Sequence, residues 1–394
     1  MIREDRVLFG VSDVLSANTF LKEFVADTRA RGAHVRWFAG GVTAPAPTLV
    51  GTFVHVPSLV RNISIKDDLV ALRALLALMK REHPTAVHLS TPKAALLGMM
   101  AATWCRVPRR VYMIRGLRLE TSSGPSFVLL WLLEWLTSFL ATEIVCVSHS
   151  VAKRTTALHL ASSRKITVLG EGSSCGVITQ RFAPTAERSE AGRALRHGYG
   201  IEDDRIVIGY VGRVNASKGV EDLLMAFAAA RNEHQVDLLV VGDLEPGEPL
   251  TPQAVEVLNG GDHVHWQTFV TDTSPYYHAF DMFVLATYRE GFPNVVLEAG
   301  SAGLAVITTD ATGAVDSVVP NVTGLMVKAG NVAELTKAIA ELAEDGAKRR
   351  RLGDAARQRC AEMFEREKVV LRHVDHLVGH VDGRAEPLSS KGSM

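Results

Sequence analysis

Short apolar runs alternate with amphipathic stretches along nearly the whole chain, and the alternation runs twice. Runs at 6–11, 33–38, 52–56, 86–89, 110–114, 143–148 and 165–168 read as strands. Helical patterns at 16–31, 63–81, 92–105, 127–141 and near 150–161 separate them. The pattern breaks near 181–186 at Pro184, and residues 185–204 are polar, which predicts an inter-domain connection. Strands then recur at 205–211, 236–241, 264–269, 282–286 and 305–308. Helices are expected at 219–231, 251–259, 274–279, 293–300, 332–345, 347–363 and 366–380. Strands joined through helices make parallel sheets with right-handed crossovers. A chain of 394 residues is long enough for two such domains. The expected class is therefore α/β, with two doubly wound Rossmann-like domains facing each other across a cleft, where ligands of such sheets bind.

Composition narrows the partners. Hydrophobic residues make up 47% and charged residues 22% of the chain, as in a packed globular protein. Net charge is +0, which argues against a nucleic-acid binder. Residues 1–185 nevertheless carry 22 Lys+Arg against 12 Asp+Glu, and the remainder 21 against 31. A basic first half suits an anionic partner: membrane surface, phosphorylated acceptor or polyanion. Cys105, Cys146, Cys175 and Cys360 form no CxxC pair, which suggests a reducing compartment. The charged N-terminus does not read as a signal peptide. The apolar run 127–140 holds Glu134 and is short of the roughly 20 residues needed to span a bilayer. Being hydrophobic on every side, it predicts a buried helix. Its Trp131 and Trp135 follow a basic cluster of Arg106, Arg109, Arg110, Arg115 and Arg118, which fits an interfacial helix instead.

Four motifs carry candidate chemistry. In Gly209–Gly219 a strand enters a glycine turn bearing Arg213 and Lys218, and a helix follows. Backbone N–H groups and two cations at such a turn match a diphosphate, although surface cations on an ordinary turn would look the same. Glu290 precedes a helix that Pro293 can open, and Glu298 lies within it. Two carboxylates at this spacing can reach different hydroxyls of one extended ligand, or merely complement a helix start. Gly172-Ser-Ser174-Cys-Gly176 formally matches a nucleophile elbow, but 177–184 lacks the helical periodicity an elbow needs. His373, His376 and His380 share a helix face without further ligands nearby, which predicts a polar face rather than a metal site. His88 and His149 are expected at strand ends on the cleft side.

The stretches GYVGRVNASKGVEDLLMAF and REGFPNVVLEAGSAGLAVITTDATGAVDSVVPNVTGLMV resemble the donor domain of glycosyltransferase family 4, which has the GT-B fold. Glu290 to Glu298 matches that family's E-x7-E element. In the first half, residues 61–102, VYMIRGLRLETSSG and VLGEGSSCGVITQRF resemble the subgroup working in capsular polysaccharide, O-antigen and lipid-linked oligosaccharide assembly. The resemblance covers roughly residues 5–378. It implies an acceptor domain at 1–183, a nucleotide-sugar domain at 184–365 and a C-terminal helix at 366–381 returning to the first domain, while the polar stretch 382–394, which holds Pro387, reads by itself as a disordered tail.

By this resemblance Arg213 and Lys218 bind the donor diphosphate and stabilise the leaving group, with Gly212 beside them. Glu298 contacts the ribose, Glu290 the transferred sugar, and Gly291, Phe292, Pro293 and Asn294 line the sugar–phosphate pocket. Val270 falls where the base is held. His88, Lys93, Arg115 and Arg118 are acceptor-side candidates. The chain departs from the pattern at Ser90, at Arg115-Gly116 and at Ala286-Thr287. The implied reaction moves a hexose or N-acetylhexosamine from a UDP-linked donor, with retention, to a glycan or polyprenyl-diphosphate-linked acceptor. No cofactor and no metal are implied, because two cations serve the leaving diphosphate. The implied place is cytoplasmic, peripheral on the inner face of the membrane. A transferase for a soluble acceptor and a sugar-nucleotide epimerase are the competing readings.

Overall fold

The computed structural model describes residues 5–41, 51–60 and 64–379; the expected disordered tail and His380 lie outside them. Thirteen strands are described: β1 Arg6–Gly10, β2 His34–Ala39, β3 Thr52–His55, β4 Ala86–Ser90, β5 Arg109–Ile114, β6 Glu143–Cys146, β7 Ile166–Val168, β8 Ile206–Val211, β9 Val236–Val241, β10 Val264–Gln267, β11 Met282–Leu285, β12 Ala305–Thr309 and β13 Gly324–Val327. They form one sheet of order β3-β2-β1-β4-β5-β6-β7 and another of order β10-β9-β8-β11-β12-β13. Pairings such as β1 with β2 and β4, and β8 with β9 and β11, are parallel. The expected α/β class with two Rossmann-like sheets therefore holds. In the second sheet, β8 has chain neighbours leaving in opposite directions, which opens a crevice at its C-terminal end.

The chain packs as two compact units. One comprises Met1–Met113, Leu133–Val145 and Val369–Met394, and the other Ile114–Leu132 and Cys146–Lys368. In the first, β4 is buried along its whole length and Phe9, Phe24, Trp37 and Phe38 fill the core. Arg109 ties the last helix into this unit. It forks onto both carboxylate oxygens of Glu143 and donates to the carbonyls of His376 and Leu377. Those carbonyls belong to the C-terminal turn of the helix Arg366–Val378, where no intrahelical donor remains. His376 also meets Glu143, at 3.2 Å. His373 is buried, edge-on to Phe24. Of the expected polar histidine face, His373 is therefore packed in the core, while His376 keeps a polar partner in Glu143.

In the second unit β9 is wholly buried although Asp237 lies on it. Its carboxylate accepts from Arg205, from His263 at 3.1 Å and from His265 at 2.9 Å, and these partners hold its pKa down to about 2.

Three further expectations are corrected. The helix placed at 16–31 is two, Val14–Phe20 and Lys22–Ala30, meeting at Leu21. The polar connection is mostly helix, Ala186–Gly198: Thr185 caps its first turn, and Arg196 fastens its last turn to Asp281 and the Ala279 carbonyl. The helix Gly124–Leu140, expected to be buried, buries only Thr137 and Ser138. Its Glu134 turns inward to accept from the Tyr112 hydroxyl at 2.6 Å, and burial pushes this carboxyl up to about 7.

Candidate active site

The glycine turn after β8 is shaped by close backbone approach. Gly242, after β9, has φ 142°, and a Cβ there would lie 1.9 Å from the Gly212 carbonyl oxygen. Gly219 has φ 65°, and a Cβ there would lie 1.9 Å from the Ala286 carbonyl oxygen. Only glycine permits either contact. The second brings the start of the helix Val220–Ala230 against the end of β11. Between Gly212 and Gly219, Asn215 caps the short 3-10 turn Ala216–Lys218, accepting from the Lys218 amide at 2.9 Å. The Ser217 carbonyl accepts from the Tyr288 amide at 2.9 Å, which stitches this turn to the loop carrying Glu290.

Lys218 and Glu290 are consequently partners: Nζ donates to Oε1, and both side chains are largely buried. Arg213 is 56% exposed and donates to Glu245 at 2.5 Å. Glu245 also accepts from Asn215 at 2.7 Å, so its carboxylate orients the whole turn. Sequence reasoning missed Glu245, which lies 30 residues from Asn215 and in no motif.

The loop before the helix Asn294–Ser301 is equally tight. A Cβ on Gly291 would lie 2.0 Å from the Arg115 carbonyl oxygen, and one on Gly313 2.4 Å from that of Glu290. Backbone of three segments is thus layered here, and the Glu290 amide donates to the Thr312 carbonyl at 2.9 Å. Phe292 is buried against Phe364. Pro293 serves as N-cap, with Asn294 as the first helical residue, one position later than expected. Asn294 donates to the Cys175 sulfur at 3.5 Å, while its Oδ1 is buried with no partner among the described residues. Glu298 accepts from the Tyr277 hydroxyl at 2.7 Å. Burial raises the Glu298 carboxyl above its ordinary range, against the pull of Tyr277, Arg181 and Arg366. Val270 lies just past β10, which ends at Gln267 rather than 269.

The acceptor-side candidates fall in both units, His88 and Lys93 in the first and Arg115 and Arg118 in the second. His88 is in the middle of β4 rather than at its end, 3% exposed, with Phe9 and Phe24 against its ring. Lys93 pairs with Asp68 at 2.7 Å. Arg118 is exposed at the start of the turn Arg118–Thr121. Arg115 instead joins the Glu290–Asn294 loop: its guanidinium nitrogens are inaccessible to solvent, and burial lowers its pKa to about 10 while Cys175 opposes. Ser174 is buried and its segment continues into one helical turn, Thr179–Phe182, so it forms no nucleophile elbow.

Two family models match, one described as glycosyl transferases group 1 over residues 193–359 and one as glycosyltransferase family 4 over residues 17–173. The chain is 35% identical over 311 residues to a capsular polysaccharide biosynthesis glycosyltransferase of Staphylococcus aureus, covering 79% of this chain and 80% of the relative. It is 28% identical over 299 residues to a UDP-Gal:alpha-D-GlcNAc-diphosphoundecaprenol alpha-1,3-galactosyltransferase of Escherichia coli, covering 74% of each. Sucrose-phosphate synthase from Thermosynechococcus elongatus shares the fold, with TM-score 0.79, 20% identity, 97% of this chain and 100% of that one. The chain belongs to glycosyltransferase family 4. It is a glycosyltransferase with the GT-B fold.

Proposed function

We propose that the chain transfers a hexose or N-acetylhexosamine from a UDP-sugar, with retention, to a hydroxyl of a glycan or polyprenyl-diphosphate-linked acceptor during surface polysaccharide assembly. The observation that carries this reading is the Lys218–Glu290 ion pair, which joins the glycine turn that also bears Arg213 to the loop that leads into the helix of Glu298. The two cations, now balanced by Glu245 and Glu290, would meet the donor diphosphate. Glu298 would take the ribose hydroxyls, with Val270 at the base. Glu290 and the backbone of Gly291, Phe292, Pro293 and Asn294 would surround the sugar. The names of the S. aureus and E. coli relatives support the polysaccharide and lipid-linked readings.

In the proposed step the bond from anomeric carbon to phosphate oxygen breaks, and the acceptor oxygen bonds to that carbon on the same face. The acceptor proton passes to the departing phosphate oxygen. Charge grows on the diphosphate as it leaves, and preorganised cations stabilise it most at that moment. Lys218 and Arg213 fill the role a metal would otherwise have, so transfer needs no divalent ion. Product analysis with a panel of UDP-sugars, in the presence and absence of excess EDTA, tests this. Equal transfer in both is expected; activity abolished by EDTA and restored by magnesium or manganese would contradict it. The enzyme would work in the cytoplasm, peripherally on the inner face of the membrane.

A further inference from the structure

The two carboxylate oxygens of Glu298 have different surroundings. Oε2 accepts from the Tyr277 hydroxyl at 2.7 Å. Oε1 has no hydrogen-bond partner among the described residues, which leaves one acceptor oxygen for a ligand.

The packing around Tyr277 holds that bond in one geometry. Tyr277 closes the short helical turn Ser274–Tyr277 and is fully buried. Its ring meets Phe182 edge-on at 5.4 Å, Phe280 edge-on at 5.8 Å and Phe283 at 5.8 Å. Aromatic neighbours on several sides fix the ring and therefore the direction of its hydroxyl. Burial beside a carboxylate keeps the phenol protonated, so it stays a donor.

The loop after β10 places the turn. Asp272 accepts from the Ser274 amide at 3.0 Å, from the Ser274 hydroxyl at 2.8 Å and from Arg181 at 2.8 Å. The segment bearing Val270, proposed at the base, thus runs directly into the residue that grips Glu298, proposed at the ribose. Arg181 and Arg366 are the charged groups that act on Glu298; together with Tyr277 they favour its ionised form against burial. Among the described residues only Tyr277 hydrogen-bonds the carboxylate.

We infer that Tyr277 is a positioning residue for nucleotide binding: its hydroxyl fixes Oε2 of Glu298 so that Oε1 accepts from the ribose hydroxyls of the donor. The inference rests on the proposed contact between Glu298 and the ribose. A hydrogen bond from a locked ring to a carboxylate is strong and orients that carboxylate before the nucleotide arrives, so little side-chain freedom is lost on binding.

Calorimetric titration of the full chain with UDP and with 2′,3′-dideoxy-UDP, over a pH series, tests this whatever sugar the donor carries. Wild type is expected to bind UDP more tightly than the dideoxy analogue. Tyr277→Phe keeps the ring and removes one oxygen. It should bind UDP about tenfold more weakly, yet bind the analogue as wild type does, which also reports its folding. Its loss of UDP affinity toward acid should set in at a higher pH, because the hydroxyl that favours ionised Glu298 is gone. In a Glu298→Ala background the same change should cost no further UDP affinity. Unchanged UDP affinity in Tyr277→Phe, an unshifted pH profile, or equal weakening of UDP and the analogue would overturn the inference. Equal wild-type affinity for UDP and the analogue would instead remove Glu298 from the ribose, and the inference with it.

Discussion

Lys218 and Glu290, 72 positions apart in the chain, form an ion pair at the C-terminal edge of the second sheet. The pairing means that the proposed leaving-group cation and the proposed sugar contact hold each other in place before any donor arrives. Lys218→Ala should lower turnover about 30- to 1,000-fold, the effect of losing one charge-assisted contact worth about 2–4 kcal/mol in the transition state. Glu290→Gln should lower it too, and the double variant should lose less than the product of the single losses, because each single change disturbs the other residue. Steady-state kinetics beside melting curves check this. Near-wild-type turnover of cooperatively melting Lys218→Ala would remove Lys218 from the leaving-group role.

Glu298 gives a pH dependence on the donor side. Burial raises its carboxyl above the ordinary glutamate range, so it gains a proton at a higher pH than a free side chain would. A protonated carboxyl is a poorer acceptor for ribose hydroxyls. The KM for the donor should therefore rise as pH falls through that raised pKa, while Glu298→Gln should show a high, nearly pH-independent KM. A flat wild-type profile would separate Glu298 from donor binding.

Glu134 sets a stability change near neutrality. Its folded pKa of about 7 lies above the unfolded value of 4.5, so the folded chain binds this proton more tightly. Its contribution is fully present below 4.5 and is lost as pH rises through 7. Glu134→Gln keeps a partner for Tyr112 and should be more stable than wild type at pH 8, by an upper estimate of roughly 3 kcal/mol, with the gap closing toward acid. Denaturant melts at several pH values decide it; a constant gap would refute the titration.

Arg109 and Glu143 govern how the last helix is held. Partners on both sides bring the Glu143 carboxyl down to about 2, so this contribution is present above the unfolded value of 4.5 and is lost as pH falls through 2. Arg109→Ala should destabilise the chain by about 2–4 kcal/mol, leaving Glu143 half-buried and the last helical carbonyls without donors. Hydrogen exchange in 366–378 should speed up first. Unchanged protection there would show that packing of Val370, Val374 and Leu377 suffices.

Much of this was readable in the sequence because its signals are local. Glycine turns, the E-x7-E spacing and strand–helix alternation each repeat a short-range rule, and the structure places Arg213, Lys218, Glu290 and Glu298 on the expected elements. Missed features depend on contacts between distant segments. Glu245 orients Arg213 and Asn215 from another loop. β13 is only four residues long and joins β12 as an edge strand. The helix Gly124–Leu140 misled for a different reason: a continuous apolar run carries no amphipathic pattern, so nothing local marks which face the fold will leave exposed. Nothing local in the sequence marks the close approach of the Arg115 carbonyl to Gly291.

The central claim is that this site transfers a sugar to an acceptor rather than altering the donor alone. Purified protein incubated with labelled UDP-sugars, with and without a polyprenyl-diphosphate-linked glycan, tests it most directly. The account predicts a labelled lipid-linked product in equimolar amount with released UDP, strictly dependent on the acceptor and joined by a linkage of unchanged anomeric configuration. Epimerised or hydrolysed sugar accumulating at the same rate without acceptor would contradict it.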